Sequence, residues 1–276
     1  MNIAVLSGKG GTGKTTVSTN LALALSANYI DSDVEEPNGF IFLNPDIDNS
    51  KKVEVIFPEF DIEKCNLCGE CVNVCQFNAL AKTKRGILVF EKLCHGCEAC
   101  GLVCKEDAIR FKKRTTGFVE SGEGYGIKCS RGILNIGEPM AVPVIKALLK
   151  NLDNKVNIID CPPGTSCNVV NALRYADAAI LVTEPSQFGL HDLNMAVELV
   201  KKYKIPFGII INKDDKKDNL IKRYCRKNDM EVIGALPYSR EVAEIYSMGN
   251  ILYKNAKYKE VFDNIAIKAR EVLKWN

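Results

Sequence analysis

The 276-residue chain has no apolar run at its start of the kind that directs export, and no apolar stretch long enough to span a bilayer. Both absences lead us to expect a soluble, cytoplasmic protein. Charge of one sign is also scarce. The 37 lysines and arginines stand against 34 acidic residues, and the net charge of +3 is too small to argue for nucleic acid or an anionic membrane as partner. There are two histidines. One of them, His191, falls at an expected helix start, where a structural role is commoner than a catalytic one. Cysteine, by contrast, is abundant, with twelve residues. Without an export signal these point to a reducing compartment and to ligand chemistry, not to disulfides. With 46% apolar residues, a chain of this length can bury a sizeable core and hold more than one domain.

Eight of the cysteines form two runs, Cys65-x2-Cys68-x2-Cys71-x3-Cys75 and Cys94-x2-Cys97-x2-Cys100-x3-Cys104, set 29 residues apart. Thiolates are soft ligands suited to iron, and this spacing is the bacterial ferredoxin pattern, in which the fourth cysteine of each run ligates the cluster of the other. It predicts two [4Fe-4S] clusters per chain, one on Cys65, Cys68, Cys71 and Cys104, the other on Cys75, Cys94, Cys97 and Cys100. Four-thiolate zinc is the competing reading, but zinc ribbons join two C-x2-C knuckles across a longer gap. The apolar sequel also repeats, Phe77-Asn78-Ala79-Leu80 against Glu106-Asp107-Ala108-Ile109. The proline that usually follows the fourth cysteine is replaced by Gln76 and Lys105, which is expected to loosen the turn more than the ligation.

At the other end of the argument, the strand-forming run Asn2–Ser7 leads into Gly8-Lys9-Gly10-Gly11-Thr12-Gly13-Lys14-Thr15-Thr16, which satisfies G-x4-G-K-[ST]. Such a loop turns its backbone N–H groups onto phosphate oxygens at a helix N-terminus. Lys14 is expected to bridge the β- and γ-phosphates and the Thr15 hydroxyl to hold magnesium. The following helix is expected to run through Val17, Leu21, Leu23 and Leu25 to about Ala27.

Lys9, a second lysine ahead of the usual one, makes Lys9–Thr15 resemble the deviant Walker A motif of the MinD/ParA family of P-loop ATPases. Asp31-Ser32-Asp33 with Pro37-Asn38 resembles that family's switch I, and Asp160-Cys161-Pro162-Pro163-Gly164 its switch II. The resemblance implies several roles. Lys9 would reach the partner's phosphates in an ATP-dependent homodimer. Asp33 would position or activate the attacking water, Asp160 would hold magnesium through water, Gly164 would lie near the γ-phosphate, and Asn212 would read the base. A subgroup with an inserted two-cluster ferredoxin domain is similar over the whole chain, and Thr183–Ser186 with Phe188–Asp192 also looks like it. No catalytic role is inferred for that segment.

Independently of any family, apolar runs at Asn2–Ser7, Tyr29–Asp33, Val156–Asp160, Ala179–Thr183, Phe207–Asn212 and Val232–Leu236 alternate with amphipathic stretches. That order predicts an α/β fold, a mostly parallel P-loop sheet with helices on both faces, its ligands at the carboxyl ends of the strands. An α+β ferredoxin-like insert is expected at 57–113, after a strand at Lys52–Phe57, with the ATPase domain at 1–56 and 114–276. Gly117–Ser130 reads as a hairpin with Val119 and Tyr125–Ile127 in strands, followed by a helix at about 140–152. Because the insert follows switch I in the chain, motion of Asp33 and Pro37 is expected to reach the clusters.

Three further features are weighed by their chemistry. Asn212-Lys213-Asp214-Asp215 spells the guanine-reading N-K-x-D, but the phosphate loop resembles that of ATPases, so Mg-ATP is the expected nucleotide. Cys129, Cys161, Cys167 and Cys225 form no close pair and are expected to be small buried residues. A last helix, residues 258–275, carries Val261, Ile265, Ala269, Val272 and Leu273 on one stripe and is expected to pack on the sheet, not on a membrane. Taken together, the chain is read as an ATP-hydrolysing iron–sulfur protein that delivers electrons to, or helps mature, a metalloenzyme partner. The alternatives are a MinD/ParA-type positioning ATPase with a redox-sensing ferredoxin module, and an iron–sulfur cluster carrier, the latter argued against by two complete cysteine sets.

Overall fold

A computed structural model describes residues 1–150, 152–215 and 218–274. Its strands are β1 (Asn2–Leu6), β2 (Asn28–Asp31), β3 (Asp46–Phe60), β4 (Leu80–Lys82), β5 (Ile87–Val89), β6 (Ile109–Gly124), β7 (Ile127–Leu134), β8 (Asn157–Asp160), β9 (Ala178–Thr183), β10 (Phe207–Asp214) and β11 (Val232–Pro237). Its helices are α1 (Lys14–Ala24), α2 (Gly39–Leu43), α3 (Glu70–Val74), α4 (Ala99–Leu102), α5 (Val142–Leu149), α6 (Cys167–Leu173), α7 (Gln187–Lys202), α8 (Leu220–Lys227), α9 (Arg240–Ser247) and α10 (Ala256–Val272).

Nine strands form one sheet in the order β11-β10-β9-β1-β8-β2-β7-β6-β3. From β11 to β7 the neighbours are parallel, and β6 then pairs antiparallel with both β7 and β3. The apolar strand runs are continuous because both faces are covered. Within β1, Ile3 and Val5 enter the core shared with α1 and α10, while Ala4 and Leu6 enter the core shared with α5, α6 and α7. The expected α/β architecture is therefore the observed one, and α10 packs as anticipated, burying Tyr258, Phe262, Ile265, Ala266 and Ala269. Trp275, the expected end of that helix, lies outside the described residues, as does Asn151 near the end of the helix expected at 140–152.

The cysteine-rich segment is not joined by linkers. Strands β3 and β6 form one continuous ribbon from Asp46↔Glu123 to Phe60↔Ile109, and the expected boundaries face each other inside it, Ile56↔Lys113 and Phe57↔Lys112. Beyond the ribbon, α3, α4 and the hairpin β4–β5 surround a small core of Cys71, Leu80, Cys100 and Ile109. The 29-residue repeat is visible in the backbone. Leu67, Gly69 and Asn78 have φ of 57°, 91° and 52°, and their repeats Gly96, Glu98 and Asp107 have 66°, 62° and 48°.

Two expectations are corrected. Tyr125 is not in a strand: Tyr125 and Gly126 (φ 52° and 77°) form the two-residue turn between β6 and β7, where positive φ at both positions matches the strand twist. The helix expected at 140–152 spans Val142–Leu149, with Pro143 in its first turn, where the missing N–H costs nothing.

The fully buried Phe262 joins α10 to the sheet. Phe262→Ala is expected to cost about 3–5 kcal/mol of unfolding free energy in a denaturant titration.

Candidate nucleotide and cluster sites

The carboxyl ends of β1, β2, β8 and β10 bring the phosphate-site residues together. The loop Gly8–Gly13 leaves β1 and ends where Gly13, at φ 86°, precedes α1. A Cβ on Gly10 or Gly11 would meet nothing within 4 Å, so the loop faces open space. Gly13 is different: a Cβ there would lie 2.0 Å from Asn212 Nδ2, which donates to Thr12 O at 2.7 Å. Asn212 thus braces the loop, and its Oδ1 accepts from the Lys213 N–H at 2.9 Å. The Thr12 hydroxyl is buried without a hydrogen-bond partner among the described residues. A buried polar atom of this kind at the rim of a glycine cradle fits an anionic ligand. Gly164 (φ 84°) donates from its N–H to Ser7 O at 2.9 Å, which sets the switch II loop against the phosphate loop.

Beneath the loop lies a buried cluster of charge. Lys14 Nζ is 2.5 Å from Asp160 Oδ1, with side-chain exposures of 7% and 0%. Burial works against the lysine's charge, but Asp160, Asp31 and Asp33 outweigh it and hold its pKa above the ordinary value. Asp31 is wholly buried and accepts from the N–H groups of Gly39 (2.9 Å) and Asp33 (3.2 Å). Desolvation, reinforced by Asp160, pushes Asp31 up to about 8. Asp33 is pushed up to about 6, again chiefly by burial. Asp31 and Asp160 are register partners on adjacent parallel strands, so the fold sets the two carboxylates side by side.

Lys9 lies on the rim. Its Nζ is 2.8 Å from Glu184 Oε1, while Lys213 Nζ is 2.9 Å from Glu184 Oε2 and 3.2 Å from Gly11 O. The Lys9 pKa is raised, first by the Glu184 hydrogen bond; at Glu184, burial opposes the charge, but the two lysines prevail and lower its pKa. Glu184, which sequence reasoning left without a role, therefore holds the two rim lysines within one protomer. Within the N-K-x-D sequence, Lys213 is held by Glu184 and Gly11, and Asp214 is a buried carboxylate tied to Lys222 and Asn219. His191 is 73% exposed on α7 and touches none of this apart from an approach to Asp192.

In the insert, one pocket of about 620 Å³ is lined by Cys65, Cys68, Cys71 and Cys104 among others, and a much smaller one of about 20 Å³ by Cys75, Cys94, Cys97 and Cys100 among others. Neither borrows a cysteine from the other set. No group of three His, Cys, Asp or Glu among the described residues converges on a point for one ion. Four thiols line each pocket, and thiolate is the soft donor that iron–sulfur chemistry takes. Burial pushes the Cys71 and Cys94 thiols up and Cys100 up to about 11, so uptake of iron must displace their protons. Of the remaining four cysteines, Cys129, Cys161 and Cys225 are buried as expected. Cys167 is not: it is exposed at the start of α6.

A family model described as the CobQ/CobB/MinD/ParA nucleotide-binding domain matches residues 3–252, and the chain belongs to that family. An uncharacterized protein of Methanocaldococcus jannaschii is 34% identical, with 96% of each chain covered. A protein of Pyrococcus horikoshii named an iron–sulfur cluster carrier protein is 25% identical over 99% of this chain and 86% of its own. Among solved structures, the septum site-determining protein MinD of P. horikoshii, complexed with Mg-ADP, superposes with a TM-score of 0.58 at 20% identity, covering 96% of this chain and 93% of that one. That likeness establishes the MinD/ParA fold. No helix among the described residues is long and apolar enough to cross a membrane.

Asp31 gives a pH signature. The folded state keeps its proton between 3.8 and about 8, a window in which the unfolded chain has released it, so this site lowers stability as pH rises and levels off above about 8. Asp31→Asn is expected to have a melting-temperature advantage over the parent protein that grows from about pH 5 to about pH 8 in EDTA, measured by scanning calorimetry.

Proposed function

We propose that the chain is an ATP-binding and ATP-hydrolysing iron–sulfur protein of the cytoplasm that couples nucleotide state to two [4Fe-4S] clusters, delivering electrons to, or helping mature, a metalloenzyme or metallocofactor. One observation supports this reading: two separate pockets, each with four cysteines in its lining, lie beyond a ribbon continuous with the sheet that carries the phosphate loop. In this reading Cys65, Cys68, Cys71 and Cys104 hold one cluster, and Cys75, Cys94, Cys97 and Cys100 the other. The clusters supply one-electron redox chemistry when bound.

At the nucleotide site the roles follow from the charges present. Backbone N–H groups of Gly8–Gly13, with Thr15 and Thr16, bind the phosphates, and Thr15 and Asp160 hold magnesium, the latter through water. A triphosphate competes with Asp160 for the Lys14 ammonium and draws Lys14 toward the β- and γ-phosphates. Asp33, with a pKa near 6, is poised to position and deprotonate the attacking water. Gly164, on the switch II loop against Ser7, senses the γ-phosphate. Lys9 leaves Glu184 for the partner's phosphates, so Glu184 sets the threshold for an ATP-dependent homodimer. The base is adenine, a reading supported by the resemblance of the phosphate loop to that of ATPases, and Asn212, which also braces the loop, meets it.

A second reading, the cluster carrier, is favoured by the match to the P. horikoshii protein over 99% of this chain. There a cluster is cargo, not a resident cofactor. The two are separated by anaerobic iron and sulfide counts with electron paramagnetic resonance, taken with and without ATP. The proposal expects about eight irons per chain, retained in ATP beside an apo-acceptor, and spectra or oxidation rates that change with ATP. ATP-dependent loss of iron to the acceptor would establish the carrier, and zinc in place of iron would sink both.

Glu184→Gln removes the charge that holds Lys9. Dimerisation in ATP, followed by sedimentation or light scattering, is expected at lower ATP concentration than in the parent protein, by about two- to fivefold, the worth of a partly exposed ion pair.

A further inference from the structure

Tyr29 is an odd residue for its place. It occupies the interior strand β2, is 0% exposed, and stands among the aliphatic side chains of a doubly covered parallel sheet. A buried phenol needs a partner for its hydroxyl. Here the hydroxyl lies 3.0 Å from Asp160 Oδ2 and 3.2 Å from Asp31 Oδ2. The other Asp160 oxygen faces Lys14, so the carboxylate is held at both ends by donors and cannot turn about its bond without losing one of them.

The same hydroxyl also meets switch I. Gly39, the first residue of α2 and the neighbour of Pro37-Asn38, packs against the phenol so closely that a Cβ at that position would lie 1.9 Å from its oxygen. The Gly39 N–H donates to Asp31 Oδ2. Tyr29 therefore touches the carboxylate that pairs with Lys14, the first acid of switch I, and the residue where switch I becomes helix.

We propose that Tyr29 is a positioning residue: its hydroxyl fixes the orientation of Asp160 and ties that orientation to the conformation of switch I through Asp31 and Gly39. This rests on the reading of Asp160 as the group that serves the magnesium–nucleotide complex. When phosphate draws Lys14 away, Asp160 loses the donor at Oδ1 but keeps the phenol at Oδ2. The freed oxygen then points to where Lys14 had been, toward the phosphate loop. A shift of Gly39 moves the phenol's neighbour and so reports switch I to Asp160.

The test compares the full chain with Tyr29→Phe, which keeps the ring and removes the hydroxyl. Binding of a fluorescent ATP analogue is measured in EDTA and across a magnesium titration. The expected result is unchanged affinity in EDTA and a rise of about tenfold in the magnesium concentration at half-effect, the worth of one hydrogen bond to a charged group. Limited proteolysis in magnesium and nucleotide is expected to cut faster between residues 33 and 39 in the variant. Should Tyr29→Phe not fold, Gly39→Ala, which retains the hydroxyl but displaces it, is expected to shift magnesium dependence in the same direction. A folded variant with the parent's magnesium curve overturns the role of Tyr29 while leaving the functional reading intact. Absence of magnesium-dependent binding in the parent protein sinks both.

Discussion

One buried lysine against three carboxylates is the constraint around which the nucleotide domain is arranged. Lys14 is in the field of Asp160, Asp31 and Asp33, and it pairs directly with only the first. Buried charge without compensation is costly, and the protein meets that cost locally in several ways. Asp31 keeps a proton to about pH 8, Asp33 to about pH 6, Tyr29 directs its hydroxyl at the two deepest acids, and backbone N–H groups of Gly39 and Asp33 close around Asp31. The site is thus short of positive charge and rich in acceptors beside a loop of donors. That is the complement of a magnesium–polyphosphate, which adds a cation for the acids and an anion for the loop.

The second constraint is mechanical. An insert on flexible linkers would average out any movement of the switches. This insert is borne on two long strands whose register runs from the sheet edge to the cysteine cages. The ribbon has two register irregularities, one between Ile47 and Asn49 and one nearer the insert between Val53 and Glu54, next to which Thr116 Oγ1 donates to Val53 O at 3.2 Å. Bulges bend and twist a ribbon at a defined point, so this is where a change in the sheet edge would alter the direction of the cages. Further ties hold the base of the insert: Lys92 Nζ donates to Gly137 O at 3.0 Å, and Arg114 makes a two-toothed ion pair with Glu138.

How much of this was legible from residues alone depended on how local the signal was. The phosphate loop and the cysteine runs carry their chemistry in spacing, and six apolar runs sufficed for the parallel sheet. The full length of β3 is not legible, because Asp46–Lys52 is a mostly polar, solvent-exposed edge strand with Ile47 its one apolar residue and none of the alternation that betrays a half-buried one. Pro58 is admissible there for the same reason, since an edge strand need not donate on both sides. Asp31, Tyr29 and Gly39 could not be joined into one node, since their contact comes from the register of β2 against β8 and from a helix packing on the strand. Glu184 was visible as a residue but not as a partner, for its two lysines lie 175 and 29 positions away. For Cys167 small size predicts burial, but its position as the first residue of α6, after the Pro162–Gly164 loop, keeps it at the surface.

The two cages differ from a pair of equivalent sites in a way that bears on what the insert can do. In each, one cysteine is buried (Cys71, Cys100) and one is exposed (Cys68, Cys97), so each site has a ligand in the small core and a ligand at the surface. The buried pair lies in a single apolar cluster shared by the two sites. The exposed pair gives each site a face to the outside. A store that must let go of its contents gains from the exposed ligand and is hindered by the buried one. A relay needs both, an inward path between centres and an outward face toward a partner. The shared core orders Cys71 and Cys100 together, so a change in packing at one site reaches the other.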